Sequence, residues 1–251
     1  PKHGARKTGI MVKGCDARCV TALLQEAQQQ RENLRIVGVP CRGVIDPRKV
    51  AAGLGLYVED LDAARMDTDR VVVGGRSMSV RDAFHDVCQE CRSHNPLVYD
   101  VLLGEMVEEA PAATPFAAVR EMEALSDEER WARFAAETSR CNLCYACRNA
   151  CPLCYCNTCF ADRTAPRWAN QTAAPEDVQF FQVMRTFHLA GRCVGCGACS
   201  RACPQGVNLR LFLDKLRADA LALYDYEAGL RPDEQPPLRV YRPEDYNDFV
   251  L

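Results

Sequence analysis

The apolar and polar positions divide the chain into two halves of different build. Residues 8–13 (TGIMVK) are a short apolar run between basic residues and read as a strand. Asp16 then caps a helix through about Arg31, with Leu23, Leu24 and Ala27 on one face. Residues 34–39, β-branched at Ile36, Val37 and Val39 and closed by Pro40, read as a second strand. Strand, helix and strand in so short a span predict a small α/β unit with parallel strands. Its two connecting turns carry cysteines on one edge, Cys15 and Cys19 after the first strand and Cys41 after the second. Asp46-Pro47 opens a short helix. Residues 71–73 and 77–80 flank Gly74-Gly75 and read as a hairpin. From Arg81 the chain turns helical, delivers Cys88 and Cys91, and reaches Asn95-Pro96.

Further on, helical periodicity takes over. Residues 116–140 predict two helices that meet at a capping box, Ser126 with Glu129, and point Val119, Met122, Leu125, Trp131 and Phe134 inward. Pro175 begins a helix that continues through 178–189, with Phe180, Phe181, Met184 and Phe187 expected in the core. Asn208 caps a last helix to about Glu227, apolar at Leu209, Phe212, Leu213, Leu216, Leu221 and Leu223. Residues 111–115 (PAATP) are the natural linker, which gives units at 1–110, 116–231 and 232–251. The last is an extended tail rich in proline, acid and tyrosine. Its Tyr241, Tyr246, Phe249 and Val250 suit a chain lying across a partner better than free solvent.

With 251 residues, a net charge of -3 and 26% charged residues, the chain lacks the basic footprint of a nucleic-acid binder. No apolar run approaches the roughly 20 residues of a membrane helix, and no secretory signal is legible. No G-x-G-x-x-G fingerprint or Walker loop is present.

The sixteen cysteines change the picture. Cys141, Cys144, Cys147 and Cys151 precede Pro152, and Cys193, Cys196, Cys199 and Cys203 precede Pro204. Each is the C-x₂-C-x₂-C-x₃-C-P run of proteins with two 4Fe–4S clusters, in which the fourth cysteine ligates the other cluster. The expected ligands are therefore crossed. Cys141, Cys144, Cys147 and Cys203 hold one cluster, and Cys193, Cys196, Cys199 and Cys151 hold the second. Structural zinc prefers paired C-x₂-C motifs, so triple runs argue against it, and disulfides fit the spacing less well still. Gly195 and Gly197 let backbone N–H groups approach the cluster, and Gly206 suits a turn past Pro204. A metal reading implies a reducing compartment, the cytoplasm or the cytoplasmic face of a membrane complex.

Eight cysteines remain. Cys41, Cys88 and Cys91 form one set, completed by Cys15 or Cys19; Cys154, Cys156 and Cys159 form another, which needs the other of that pair. Written with Cys15 in the first and Cys19 in the second, these are a third and a fourth cluster. Two or three clusters, with the rest structural or zinc-bound, are the alternatives. Of His3, His85, His94 and His188, only His85 and His94 flank a cysteine pair as donors to its ligands.

Three segments carry a family resemblance: Lys13-Gly14-Cys15-Asp16-Ala17-Arg18, Ile36-Val37-Gly38-Val39-Pro40-Cys41, and Gly43-Val44-Ile45-Asp46. They look like the beta subunit of deazaflavin-reducing hydrogenase and its dehydrogenase relatives, as does Cys88-x-x-Cys91 with Pro96. The second half, with Gly195, Gly197 and Gly206, resembles the α-helical dicluster ferredoxins of heterodisulfide reductase and succinate dehydrogenase. The run from Cys141 to Phe160 is similar to iron–sulfur subunits associated with formate dehydrogenases. The hydrogenase-type subunit is longer and binds a flavin, and no counterpart of its flavin pocket is legible here.

The fold class expected is an α/β N-terminal domain, then a mainly α-helical dicluster ferredoxin domain with an extended C-terminal tail. The function expected is relay of single electrons through several 4Fe–4S clusters inside a larger oxidoreductase complex, with no substrate chemistry of its own. The resemblance implies partners such as a formate dehydrogenase, hydrogenase, flavoprotein or heterodisulfide-reductase-like module; charge and the lack of a long apolar run argue against nucleic acid and a direct membrane span. The alternative is a catalytic flavin- or deazaflavin-reducing subunit fed by the clusters.

Overall fold

The computed structural model describes residues 7–109, 115–241 and 243–244. The first half contains β1 (Thr8–Val12), α1 (Gly14–Gln25), β2 (Leu34–Gly38), α2 (Pro47–Leu54), β3 (Arg65–Asp67), β4 (Arg70–Val73), β5 (Arg76–Ser79), α3 (Val80–Ala83), α4 (Asp86–Gln89) and β6 (Val101–Leu102). β1 and β2 pair in parallel from Thr8↔Leu34 to Val12↔Gly38. β6 joins the far side of β2, also parallel. Val12, Ala17, Val20 and Ile36 form the core between this sheet and α1.

Helix α1 is shorter than its periodicity predicts, and it starts earlier. Lys13 is the cap, and the Asp16 carboxylate accepts the Lys13 backbone N–H at 3.1 Å from inside the first turn. The helix stops because Ala27 adopts φ 54° and the Gln28 N–H folds back onto the Leu23 carbonyl at 2.8 Å. The glutamines at 28–30 offer no apolar face to extend burial.

Asp46 caps α2 by accepting the Arg48 N–H at 2.9 Å. The β4–β5 hairpin closes through Gly74 (φ 56°) and Gly75 (φ 80°), a pair of left-handed residues that favours glycine. Val50, Leu54, Val71, Val73 and Ala83 make a second small core. The helix expected from Arg81 is instead two short turns, α3 and α4. Phe84 bridges to Ile45 and His85 is extended at ψ 145°, which breaks the helix.

The second half is helical: α5 (Ala117–Glu123), α6 (Asp127–Thr138), α7 (Ala146–Asn149), α8 (Pro175–Phe187), α9 (Ala198–Ala202) and α10 (Leu209–Tyr224). The capping box opens α6, with Glu129 N–H on Ser126 Oγ at 3.3 Å and Ser126 N–H on Glu129 Oε2 at 2.9 Å. The largest core gathers Leu143, Val178, Phe181, Leu189, Val207 and Leu213 around the cysteine runs, and it takes in Cys19 and Ala22 from α1.

Three expectations about this core are corrected. Trp131 is exposed, lying on the outside of Phe134 with ring centroids 5.5 Å apart. Phe180 and Phe187 are also exposed, at 43% and 59%, because α8 is rotated so that Val178, Phe181, Gln182 and Arg185 face inward. Leu223 of α10 is exposed as well.

Beyond α10 the chain returns across the end of α1. The Gln25 amide donates to the Arg231 and Glu234 carbonyls at 2.8 and 2.5 Å, and the Arg239 guanidinium reaches the Gln25 carbonyl. Tyr241 is exposed. Tyr246, Phe249, Val250, residues 111–114 of the expected linker and His3 lie outside the described residues. Among the described residues no helix is long and apolar enough to cross a membrane.

Candidate metal centres

The two cysteine runs fold as equivalent loops. In each, the first three cysteines wrap a turn and the third enters a short helix, α7 after Tyr145 and α9 after Gly197. The second residue after the first cysteine has positive φ in both, 53° at Leu143 and 73° at Gly195. So does the residue after the second cysteine, at 59° in Tyr145 and 69° in Gly197. Left-handed residues set into such loops turn successive N–H groups toward one concavity, a nest for an anion such as an iron–sulfur cluster. Glycine occupies these positions at no steric cost in the second loop. Leu143 and Tyr145 adopt the same conformation in the first, where Leu143 is held in the core and Tyr145 meets Phe181 edge-on at 5.0 Å.

Cys141, Cys144, Cys147 and Cys203 line one cavity, with Leu143, Phe181, Gln182 and Val207 as walls. Gln182 Nε2 donates to Cys141 Sγ at 3.3 Å, and the Val207 N–H donates to Cys203 Sγ at 3.4 Å. Cys151 lies instead near Cys199, which in turn neighbours Cys193 and Cys196. Burial pushes the Cys147 thiol up to about 11 and the Cys193 thiol up to about 12, with Arg185 and Arg217 respectively pulling the other way. Such thiols shed their protons only for a strong electrophile, so metal loading here releases protons.

Cys15, Cys41, Cys88 and Cys91 line a separate cavity of about 430 Å³ at the carboxyl ends of β1 and β2. This is the edge where open parallel sheets bind their ligands. Burial pushes the Cys15 thiol up to about 12, with Asp16 and Cys196 adding to it. Burial also raises Cys91, against the Ser93 N–H donating to its sulfur at 3.4 Å. Cys196, Val194 and Gly195 form the opposite wall, so this cavity abuts the second loop. His94 Nδ1 lies 2.9 Å from the Cys41 carbonyl, and His85 pairs with Asp46 at 3.0 Å.

The last group is arranged differently. Cys19 meets Cys196; that contact first, and burial second, hold the Cys19 thiol up while Cys196 is pulled down. Cys154 meets Cys151, and the contact raises Cys151 and lowers Cys154. Cys159 sits near the Arg148 guanidinium and Cys156 is exposed.

All sixteen cysteines carry free thiols. Among the described residues, no three His, Cys, Asp or Glu side chains converge tightly enough on a single metal ion. A tetrahedral zinc at about 2.3 Å from each sulfur would need its thiolates within about 4 Å of one another. The donor sets are all sulfur, the ligand chemistry of iron–sulfur clusters. Three buried polar atoms beside them lack a protein partner, Gln182 Oε1, Arg185 Nε and Ser200 Oγ. Gln182 and Arg185 escaped the sequence reading. The only signal was two long polar residues on the face that also holds Val178 and Phe181.

Residues 137–207, which enclose both runs, match the 4Fe-4S dicluster domain family. The chain is similar to the F420-dependent formate dehydrogenase subunit beta of Methanocaldococcus jannaschii, 22% identical across 93% of this chain and 76% of that protein. It is also similar to the F420-dependent formate dehydrogenase 1 subunit beta of Methanococcus maripaludis, 22% identical across 92% of this chain and 75% of that one. Sequence, domain and relatives agree on an iron–sulfur electron-transfer subunit with 4Fe–4S clusters.

Proposed function

We propose that the chain carries single electrons through three 4Fe–4S clusters between a formate dehydrogenase-type catalytic partner and a second redox module in one complex. The ligand sets are Cys141, Cys144, Cys147 and Cys203; Cys193, Cys196, Cys199 and Cys151; and Cys15, Cys41, Cys88 and Cys91. The observation that carries this reading is the company of the two fourth cysteines. Cys203 lies in the cavity of the first run, and Cys151 beside Cys199 of the second. A bound cluster supplies one-electron storage at a potential set by its surroundings. The chain supplies the thiolates, the N–H groups at the left-handed residues, and exclusion of water by Leu143, Phe181, Val194 and Val207.

Cys154, Cys156 and Cys159 lack a fourth thiol in this arrangement, because Cys19 is engaged with Cys196. A fourth cubane there needs a ligand from outside the trio and Cys19. The relatives' names supply the partner class, and the α/β unit at 1–110, the helical unit at 116–231 and the tail from 232 are proposed as its parts.

Iron and sulfide counts on anaerobically purified protein, with EPR during stepwise reduction, test the reading. About twelve irons are expected, four per cubane. Cys203→Ser is expected to disturb the cluster of the first run, and Cys151→Ser that of the second. Sixteen irons would refute the count. The opposite pairing of losses would refute the crossing.

A second reading has one observation in its favour. The cavity beside Cys41, about 430 Å³, lies within the usual range of roughly 300–1,000 Å³ for small-molecule sites. A flavin released on denaturing the purified protein would make the chain a flavin-reducing subunit fed by clusters.

A further inference from the structure

Helix α8 places its most expensive side chain where hydrocarbon is expected. Arg185 is 3% exposed. One Nη donates to the Cys147 carbonyl at 3.1 Å, and Nε has no partner. Other inward-facing arginines face carboxylates: the buried Arg18 lies 3.6 Å from Glu227, and the half-buried Arg217 lies 2.5 Å from Asp214. Among the described residues no carboxylate pairs with Arg185. A dehydrated guanidinium without a counter-charge is not stable on one hydrogen bond. It persists where an anion compensates it.

The anions at hand are the cysteines around it, Cys147, Cys199, Cys154 and Cys151 in order of their pull on the guanidinium. Cys147 belongs to one proposed ligand set; Cys199 and Cys151 belong to the other. Ser200, next to Cys199 in the chain, also has a buried and unpartnered Oγ.

We propose that Arg185 is the shared counter-charge of both clusters and raises the reduction potential of each. The inference rests on the cluster reading above. A cubane with four thiolates is anionic in both oxidation states and gains one further negative charge on reduction. A fixed cation beside it therefore favours the reduced state. Arg217 cannot do the same, since Asp214 offsets its charge and it reaches only the Cys193 side. Arg185 is thus a positioning and tuning residue, not a ligand.

The test uses the full chain, purified anaerobically, with Arg185→Gln, Arg185→Met and Arg185→Lys. Iron is counted first, and an EPR-monitored redox titration follows. The Gln variant keeps a donor for the Cys147 carbonyl and removes the charge. It should hold wild-type iron, and both dicluster midpoints should fall by about 59 mV, a tenfold change in each one-electron equilibrium. The Lys variant should stay nearer the wild type. Unchanged midpoints in an iron-replete Gln variant overturn the proposal, and so does movement of only one midpoint. Loss of iron from both the Gln and the Met variants overturns it too, because Arg185 is then structural. A wild-type chain without iron would instead overturn the cluster reading, which the iron count detects separately.

Discussion

Glu227→Gln should destabilise the protein by about 3 kcal/mol. Glu227 is 9% exposed and receives two bonds from Arg92 Nη2, at 2.8 and 2.9 Å. It also faces Arg18, itself 5% exposed. Arg18 in turn donates Nε and Nη2 to the Ala228 carbonyl at 3.2 and 2.9 Å, and Nη1 to Ser93 Oγ at 3.3 Å. One carboxylate thus joins α1, the loop after Cys91 and the segment beyond α10. Glutamine keeps the shape and removes the charge, leaving Arg18 buried against nothing negative. Breaking a buried pair from one side costs about 3–5 kcal/mol. The lower end applies, because Arg92 is a third exposed and regains water. With a urea slope near the upper end of about 1–3 kcal/mol per molar for a chain of this size, the midpoint should drop by about 1 M. The assay is anaerobic urea titration of the cluster-loaded protein, followed in parallel by far-UV circular dichroism and visible absorbance. Arg92 and Ser93 directly follow Cys91, so visible absorbance should be lost before the helices melt. Glu90→Gln is the control: Glu90 is 69% exposed and its pair with Arg210 should be worth little. A Glu227→Gln shift below about 0.2 M, the scale of an ordinary surface change, refutes the argument.

Three further substitutions probe the backbone and the sheet. Gly206 (φ 63°) has open space where a Cβ would go, so Gly206→Ala should cost only the left-handed strain, about 1–2 kcal/mol by urea titration. Gly229 (φ 65°) would drive a Cβ into the Arg18 backbone carbonyl, so Gly229→Ala should cost more than about 3 kcal/mol; equal losses at the two sites would show that the close approach is unimportant. Asp100 accepts from Arg31 at 2.6 Å and from the Ile36 N–H at 2.6 Å, which together hold its carboxyl below the usual 3.8. A depressed folded value stabilises above the unfolded value and is lost as pH falls through the folded one. Amide exchange in β2 should therefore be faster in Asp100→Asn than in wild type at pH 7, and the gap should close below about pH 4; a gap independent of pH would exclude the carboxylate as its source.

What could be read from the sequence was what is decided locally. The β1–α1–β2 unit, the Gly74-Gly75 turn and the Ser126 capping box each rest on residues within a few positions of one another, and each appears in the structure. β6 could not be read: it is two residues long and finds its partner β2 far back along the chain. Gly195 and Gly197 were legible as close approaches of backbone to the cluster, while the positive φ they share with Leu143 and Tyr145 was not, because leucine and tyrosine do not signal it. The face of α8 was misread for a deeper reason. Ranking Phe180 and Phe187 as core assumes that the interior is hydrocarbon. Here the interior that α8 covers also holds the cysteine runs, and Gln182 and Arg185 meet polar atoms there, the Cys141 sulfur and the Cys147 carbonyl.

In the proposed ligation the same contacts give the clusters an order. Cys196 forms a wall of the cavity that holds Cys15, Cys41, Cys88 and Cys91, while Arg185 spans from the Cys147 carbonyl toward Cys199 and Cys151. The set centred on Cys193 therefore lies between the other two. The proposed crossed ligation would tie the two cysteine runs to each other, and Cys19 on Cys196 ties that middle set to α1. In a relay of that order, electrons passing between the α/β unit and the first cysteine run would cross the middle cluster. The potential of that cluster then governs flow in either direction, and the unpaired charge of Arg185 is placed where it acts on the middle cluster and its neighbour together.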